Sequence, residues 1–343
     1  MMATSFCPAY AEYRDPLDSP STISPLAART QLLAVTRAGA RLVAVGWRGH
    51  IVTSDDSGKT WQQVQSPVDA DLTAVSFPTA KKGWIVGHGG VVLKTEDGGS
   101  TWTKQLDGRS AGEVMIRYYQ RQIQNGNSEA EQCLEAVKLN TQNGPEHPWL
   151  DVIFSDEKHG YIVGTFNQIM QTEDGGATWV PIMEMIDNPQ ALHLNAITRQ
   201  GDDYFIASEQ GTVFHKGKNG ARFTALTTGY SGTFFGVVAD DKSIFAYGLR
   251  GTVYRSDDRG GSWQTVRTTI DTAITGGLIL DNGKVLLVSQ GAQLLQAKDH
   301  QAPFESIAVK KPALFTGITS VDDNTIVIVG TAGANLETII QKP

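Results

Sequence analysis

The stretch Thr172-Glu173-Asp174-Gly175-Gly176-Ala177-Thr178-Trp179 decides the fold, because the same pattern recurs three more times. The other copies are Ser54-Asp55-Asp56-Ser57-Gly58-Lys59-Thr60-Trp61, Thr95-Glu96-Asp97-Gly98-Gly99-Ser100-Thr101-Trp102 and Ser256-Asp257-Asp258-Arg259-Gly260-Gly261-Ser262-Trp263. All four obey S/T-x-D-x-G-x-S/T-W. Weaker copies run from Lys216 to Phe223 and from Ala297 to Phe304. The closing aromatics fall at positions 61, 102, 179, 223, 263 and 304, spaced by 41, 77, 44, 40 and 41 residues. A unit of about 40 residues is that of a four-stranded propeller blade. The one double-length gap holds an insertion.

Each unit carries the same parts outside the box. In the first, Leu32 to Val35 and Leu42 to Val45 are apolar runs, followed by a G-x-x-G turn at Gly46 to Gly49 and by His50 to Ser54. The second repeats this with Leu72 to Phe77, Trp84 to Val86, Gly87 to Gly90 and Val91 to Thr95. Short runs rich in β-branched and aromatic residues, broken by Gly and Asp, are strands joined by hairpins. The expected fold is all-β, a single seven-bladed β-propeller of four-stranded blades.

The box itself reads as a mechanical device. Asp56, Asp97, Asp174 and Asp258 can accept backbone N–H groups of their own turns. Gly58, Gly99, Gly176 and Gly260 permit backbone angles closed to other residues. Trp61, Trp102, Trp179 and Trp263 open the last strand of each unit and pack between blades. These acids brace hairpins and are not read as catalytic.

Six aromatics mark six complete units. After Phe304 come three more strand-like runs, ending with Asn335 to Ile340, and no box. A ring cannot leave an open edge without liability. The N-terminal stretch before Gln31, somewhere within Glu12 to Ser24, is therefore expected to close the seventh blade by supplying its missing outer strand or covering that edge.

The insertion, about residues 106–148, changes period. Ser110-Ala111-Gly112-Glu113 and Ser128-Glu129-Ala130-Glu131 match the capping box that opens helices. Met115, Tyr118, Tyr119 and Ile123 follow at helical spacing, then Ala130, Leu134 and Val137. A helical hairpin between blades two and three is expected, with Cys133 a small packed residue. It follows a fourth strand, so it shares a face with the G-x-x-G turns. Insertions gathered on one face mark a binding face. The turn residues on that face are Trp47 and Arg48, His88, Phe166 and Asn167, Glu209 and Gln210, Leu249 and Arg250, Ser289 and Gln290, and Thr331 and Ala332. Trp47, Arg48, His88, Phe166, Asn167, Gln210, Arg250 and Gln290 are the candidate partner-binding residues, a mixture suited to a peptide loop or an anionic group.

Composition excludes several classes. With 29 Lys and Arg against 36 Asp and Glu, the net charge is −7 and no basic run stands out. A nucleic-acid footprint needs a basic face. No stretch approaches the ~18 apolar residues of a membrane span. No H-E-x-x-H, C-x-x-C, P-loop or G-x-S-x-G is present, the seven histidines are dispersed, and neither a metal nor a cofactor is called for. The first eleven residues, ending Ala9-Tyr10-Ala11, read as the remnant of a signal peptide, with the mature propeller beginning at Glu12. Only Cys7 and Cys133 are present, so no disulfide framework is expected.

Val45-Gly46-Trp47-Arg48-Gly49-His50, Gly83-Trp84-Ile85-Val86-Gly87-His88-Gly89-Gly90 and Gly160-Tyr161-Ile162-Val163-Gly164, each followed by its box, resemble the photosystem II assembly and stability factor family and its relatives in non-photosynthetic bacteria. The likeness spans roughly Arg29 to Ile340. It implies a seven-bladed, periplasmic or secreted, chaperone-like scaffold that meets its client through an arginine-bearing patch. The client implied is a membrane or envelope protein complex; the resemblance does not imply photosystem II as that client. Only Arg48 and Arg250 occupy matching turn positions here. The alternative is a carbohydrate-active enzyme of the sialidase or glycosidase propeller type. That chemistry needs a carboxylate pair, or a tyrosine with its acid partner, at the central funnel.

Overall fold

The computed structural model describes residues 14–339, so Cys7 and the segment read as a signal-peptide remnant lie outside the described residues. Seven antiparallel sheets follow one another in chain order. Blade one comprises β1 (Leu32–Ala38), β2 (Arg41–Gly46), β3 (Ile51–Ser54) and β4 (Gln62–Val64). Blade two comprises β5 (Leu72–Ser76), β6 (Gly83–Gly87), β7 (Val92–Thr95) and β8 (Thr103–Leu106). Helices α1 (Gly108–Gln124) and α2 (Glu129–Thr141) then interrupt the pattern. Blade three is β9 (Trp149–Phe154), β10 (Gly160–Gly164), β11 (Ile169–Thr172) and β12 (Val180–Pro181). Blade four is β13 (Leu194–Gln200), β14 (Asp203–Ser208), β15 (Thr212–Lys216) and β16 (Thr224–Thr227). Blade five is β17 (Phe234–Ala239), β18 (Ile244–Gly248), β19 (Val253–Ser256) and β20 (Gln264–Thr265). Blade six is β21 (Ile274–Ile279), β22 (Val285–Ser289), β23 (Leu294–Ala297) and β24 (Glu305–Ile307). Blade seven has β25 (Phe315–Ser320), β26 (Thr325–Gly330) and β27 (Gly333–Thr338).

The first strand of each blade packs against the first strand of the next, and β25 meets β1 to close the ring. Second strands are buried on both faces, as in Val43, Ala44 and Val45 or Leu286, Leu287 and Val288. This is why they read as continuous apolar runs rather than alternating ones.

Four boxes do what their residues allow. In the third, the buried Thr172 hydroxyl donates to Asp174 at 2.9 Å and accepts the Gly176 N–H at 2.8 Å. Asp174 accepts the Thr178 N–H at 2.8 Å and the Thr178 hydroxyl at 2.6 Å. The pattern repeats around Asp56, Asp97 and Asp258. Hydrogen bonds from Thr60 hold the Asp56 carboxyl down to about 2. Gly176 sits at φ +80°, and a Cβ there would strike the Gln105 amide of blade two. The closing aromatics fill the seams: Trp102 and Trp179 are buried, Trp179 edge-on to Phe154 at 6.0 Å. Phe223 and Phe304, from the weaker copies, are also buried.

The N-terminal segment differs in detail from the expectation. Among the described residues blade seven has three strands, and the single turn of 3-10 helix Ala27–Arg29 lies against β27 and against β3 and β4 of blade one. The residues before it follow blade one instead. Ser21 exchanges bonds with Ser66, and the Ser24 N–H donates to Gln63 at 2.7 Å. Farther back, Leu17 is buried and Asp18 forms a two-pronged pair with Arg109 at the start of α1, both contacts at 2.7 Å. A strand needs alternating apolar residues to face a blade, and Asp15-Pro16-Leu17-Asp18-Ser19-Pro20 offers prolines and acids.

The hairpin forms where expected but opens differently. Asp107, not Ser110, caps α1: it accepts the Arg109 and Ser110 N–H groups, and Ser110 returns the bond as the third helical residue. An acid three residues earlier thus outcompetes the serine for the orphan donors. Ser128 precedes α2 without a side-chain cap bond, and Asn127 accepts the Glu129 N–H instead.

If the box serine or threonine holds the turn, Thr172→Val leaves the buried Gly176 N–H unpaired. The loss expected is about 1–3 kcal/mol of unfolding free energy, read by urea denaturation. A loss below about 0.5 kcal/mol, the scatter of a neutral surface change, contradicts this reading.

Candidate functional site

The turns between second and third strands share one design. In five of the seven, a turn N–H donates to the carbonyl just before the inner strand of the same blade. Trp47 reaches Gln31 at 3.2 Å, His88 reaches Asp71 at 2.8 Å and Leu249 reaches Thr233 at 3.1 Å. Gln290 reaches Ala273 at 2.9 Å and Thr331 reaches Leu314 at 3.0 Å. The leading glycine of G-x-x-G is required by this approach, since a Cβ at Gly46, Gly87, Gly248 or Gly330 would collide with that carbonyl or its neighbour. The residue that follows in the turn is left-handed: Arg48 at φ 52°, Phe166 at 54°, Gln210 at 54° and Arg250 at 55°. Non-glycine residues in this region are uncommon, and they gather at functional sites.

Seven of the eight candidates project to solvent, and one does not. Trp47 is 47% exposed, and His88, Gln210 and Gln290 are exposed. Arg48 pairs with Asp69 at 3.0 Å, yet its side chain remains 71% exposed. Arg250 is exposed and makes no ion pair among the described residues. Phe166 stands between the rings of His147 and His193, with centroids 4.9 and 4.6 Å away. Asn167 departs from the expectation. It is buried, donates to the Met183 carbonyl at 3.2 Å and accepts from Asn188 at 2.9 Å, so it holds its turn in place. Leu249, 37% exposed, adds an apolar group beside Arg250.

The hairpin joins this face. Helix α1 contacts the His88–Gly90 turn, and Gly90 must lack a Cβ because Gly108 passes against it. On the other side the hairpin meets the 3-10 turn Met183–Met185 after β12. Tyr119, fully buried, donates to Glu184 at 2.9 Å and accepts the Met183 N–H at 3.0 Å. Burial, with the nearby Glu184 charge, pushes the Cys133 thiol up to about 11, which fits a packed rather than a reactive cysteine. Glu184 and Arg222 escaped the sequence reading, and Tyr118 was read only as part of the hairpin's helical spacing. No motif pairs them, and only the folded hairpin brings them together.

At matching positions the inner strands carry Ala34, Ala74, Asp151, Ala196, Gly236, Gly276 and Gly317. Thr73, Asn195, Thr275 and Thr316 tie their own inner strands to the next, for example Thr316 to the Leu32 carbonyl at 2.7 Å. Asp151 is the one carboxylate on these seven strands before their outer turns. Its oxygens accept the Val152 and Ile197 N–H groups, both at 2.8 Å, the second across the blade seam. Burial nonetheless pushes its carboxyl up to about 6. Tyr247, from blade five, lies over Gly236 and Gly277 and is near enough for the Asp151 charge to raise its hydroxyl pKa, behind the larger effect of burial.

A closed ring of Asp-box blades with a helical insertion on its turn face defines a repeat-propeller scaffold. The family model described as "Photosynthesis system II assembly factor YCF48" matches residues 36–116 and 126–302, and the chain belongs to this family. It is similar to the "Photosystem II assembly lipoprotein Ycf48" of Synechococcus sp. (strain CC9902), 31% identical over 158 residues, which is 45% of this chain and 46% of that protein. It is also similar to the "Photosystem II stability/assembly factor HCF136, chloroplastic" of Oryza sativa subsp. japonica, 25% identical over 38% of this chain and 34% of that one. The chain thus spans less than half the length of these curated relatives in the matched regions. Among solved structures, "YCF48 bound to D1 peptide" superimposes with a TM-score of 0.65 at 17% identity, covering 96% of this chain and 99% of that one. YCF48 from Cyanidioschyzon merolae gives 0.64 at 16% identity over 93% and 98%. At these identities the superpositions establish the fold.

Asp151 yields a pH-dependent consequence. Its folded pKa near 6 lies above the ordinary value of about 3.9. The native state therefore holds this proton more tightly than the unfolded chain, and this group removes stability as pH rises from about 4 to about 6. A carboxyl-carbon NMR titration is expected to show a midpoint near 6 that vanishes in Asp151→Asn; a midpoint at or below about 4 contradicts the assignment.

Proposed function

We propose that this chain is a non-catalytic, exported assembly or docking factor that binds a protein of a membrane or envelope complex on its G-x-x-G turn face. The observation that carries the reading is that face itself. Several blades present exposed side chains there, two of them cations, from turns whose backbone is locked to the inner strands. A preset surface loses little ordering entropy on binding. Exposed Trp47, Phe166 and Leu249 supply apolar contact, and Arg48 and Arg250 supply charge for carboxylates of a partner.

Family membership supports the same reading, since relatives are named assembly factors and a solved YCF48 was bound to a D1 peptide. Cyanobacterial relatives are named lipoproteins, which supports action outside the cytoplasm. Among the described residues no helix is long and apolar enough to cross a membrane. A glycosidase would need a second acid or a reactive tyrosine beside Asp151; the tyrosine near it, Tyr247, is buried, and both oxygens of Asp151 are engaged by backbone amides.

Affinity purification of the tagged protein from gently solubilised membranes is expected to recover a specific protein complex. Arg48→Ala with Arg250→Ala is expected to reduce that recovery by about tenfold, the effect of ~1.4 kcal/mol. Undiminished recovery by the double variant, or cleavage of a glycan by the purified chain, contradicts the proposal.

A further inference from the structure

A groove of about 270 Å³ opens between α2 and the outer end of blade three. Its walls include Gln132, Cys133 and Ala136 of α2 on one side and Ile186, Asn188 and Pro189 on the other. Phe166 stands at one rim and the Arg222–Glu129 ion pair, at 2.9 Å, at another. Glu184 also lines it and is only 8% exposed.

Glu184 is the anomaly. Acidic side chains are almost never this buried unless a cation pairs with them. Among the described residues no Lys, Arg or His comes within ion-pair distance of Glu184. Its hydrogen-bond donors are two neutral phenols, Tyr119 at 2.9 Å and Tyr118 at 3.4 Å. An ionised carboxylate has about four acceptor sites, so two bonds leave capacity toward the groove. The lining charges lean the same way. Glu129, Glu184 and Asp187 face a single cation, Arg222, which Glu129 already engages. The phenol of Tyr119 is itself pinned by the Met183 N–H, so the carboxylate is held in place before anything binds. Fixed polar groups that wait for an opposite charge are what a recognition pocket requires.

We propose that this groove receives a cationic side chain, arginine or lysine, presented on a peptide segment of a protein partner. The volume lies just below the ~300–1,000 Å³ of pockets that enclose whole small molecules, so it suits one long side chain. The guanidinium or ammonium would meet Glu184 while its methylene stem lies along Ala136, Ile186 and Pro189. The inference rests on the docking reading and deepens it: the inserted hairpin adds an acidic, one-residue specificity pocket beside a turn face whose exposed arginines favour acidic contacts. A partner chosen by both would carry opposite charges at two places, and mismatched partners would be rejected at one of them.

The test uses the full chain and two probe peptides, acetyl-Gly-Gly-Arg-Gly-Gly-amide and the same peptide with citrulline for arginine, which keeps the shape and removes the charge. Binding is followed by amide NMR shifts of the groove residues Cys133, Ala136 and Asn188. The arginine peptide is expected to bind, with the citrulline peptide at least about tenfold weaker. Glu184→Gln is expected to abolish that difference, and Ala136→Trp, which fills the groove without touching the carboxylate, is expected to block both peptides. Equal binding of the two peptides, an unchanged preference in Glu184→Gln, or no binding to the native chain overturns the proposal. Membrane recovery with the same variants separates the two ideas. A complex kept by Glu184→Gln and Ala136→Trp but lost by the double arginine variant removes the groove and leaves docking intact. Failure of the native chain to recover any complex removes the docking reading itself.

Discussion

The hydrogen bond that five of the seven turns make to the carbonyl before their own inner strands is the contact on which fold and surface both depend. It fixes where the second strand ends relative to the channel. It also forces the leading position to be glycine, because a side chain there would strike the carbonyl or its neighbour, as at Gly46 and Gln31. Having pinned the backbone, the turn must place its next residues in left-handed geometry, and Arg48, Gln210 and Arg250 then project outward. The Asp boxes do the corresponding work at the opposite end of blades one, two, three and five. There the polar groups are consumed internally: Asp174 has Thr172 and Thr178 as partners, and Asp56 is held ionised by Thr60. One end of the disc is satisfied within itself, while the other leaves side chains free. The proposed docking face rests on that asymmetry.

Much of this was legible in the sequence. The 40-residue spacing of the closing aromatics gives the blades, and buried Trp102, Trp179, Phe223 and Phe304 occupy the seams as expected. The double gap gives the hairpin, because a period near 3.6 residues stands out against strands. What could not be read depends on residues distant in the chain. Asp107 displaced Ser110 as the cap because it also ties Arg109, Lys104 and the N-terminal segment together. Asn167 looked like any turn polar residue until the loop carrying Asn188 closed over it. The seventh blade's edge is met by Ala27–Arg29, nearer to β1 than the stretch anticipated, since a short connection into the ring leaves no slack for an added strand.

The hairpin is the one insertion that breaks the run of blades among the described residues. It is joined to blade two through Asp107 and the Gly90–Gly108 contact, and to blade three through Tyr119 and Glu184. A helical insertion fastened at both ends to the rigid disc behaves as part of the scaffold. The polar groups at its contact with the blades, its own Glu129 with Arg222 of blade four and the buried Glu184 after β12, are therefore held at fixed positions beside the turn face. Asp151 shows the opposite case: an isolated acid in a ring of Ala and Gly, satisfied by backbone amides and stitching blade three to blade four.

Hydrogen–deuterium exchange of the chain, alone and in the complex recovered from membranes, tests the central claim most directly. The account predicts added protection at residues 46–50, 87–91, 165–168 and 248–252 and in the hairpin, with the box turns at 56–60, 97–101, 174–178 and 258–262 unchanged. Protection confined to the box turns would contradict it.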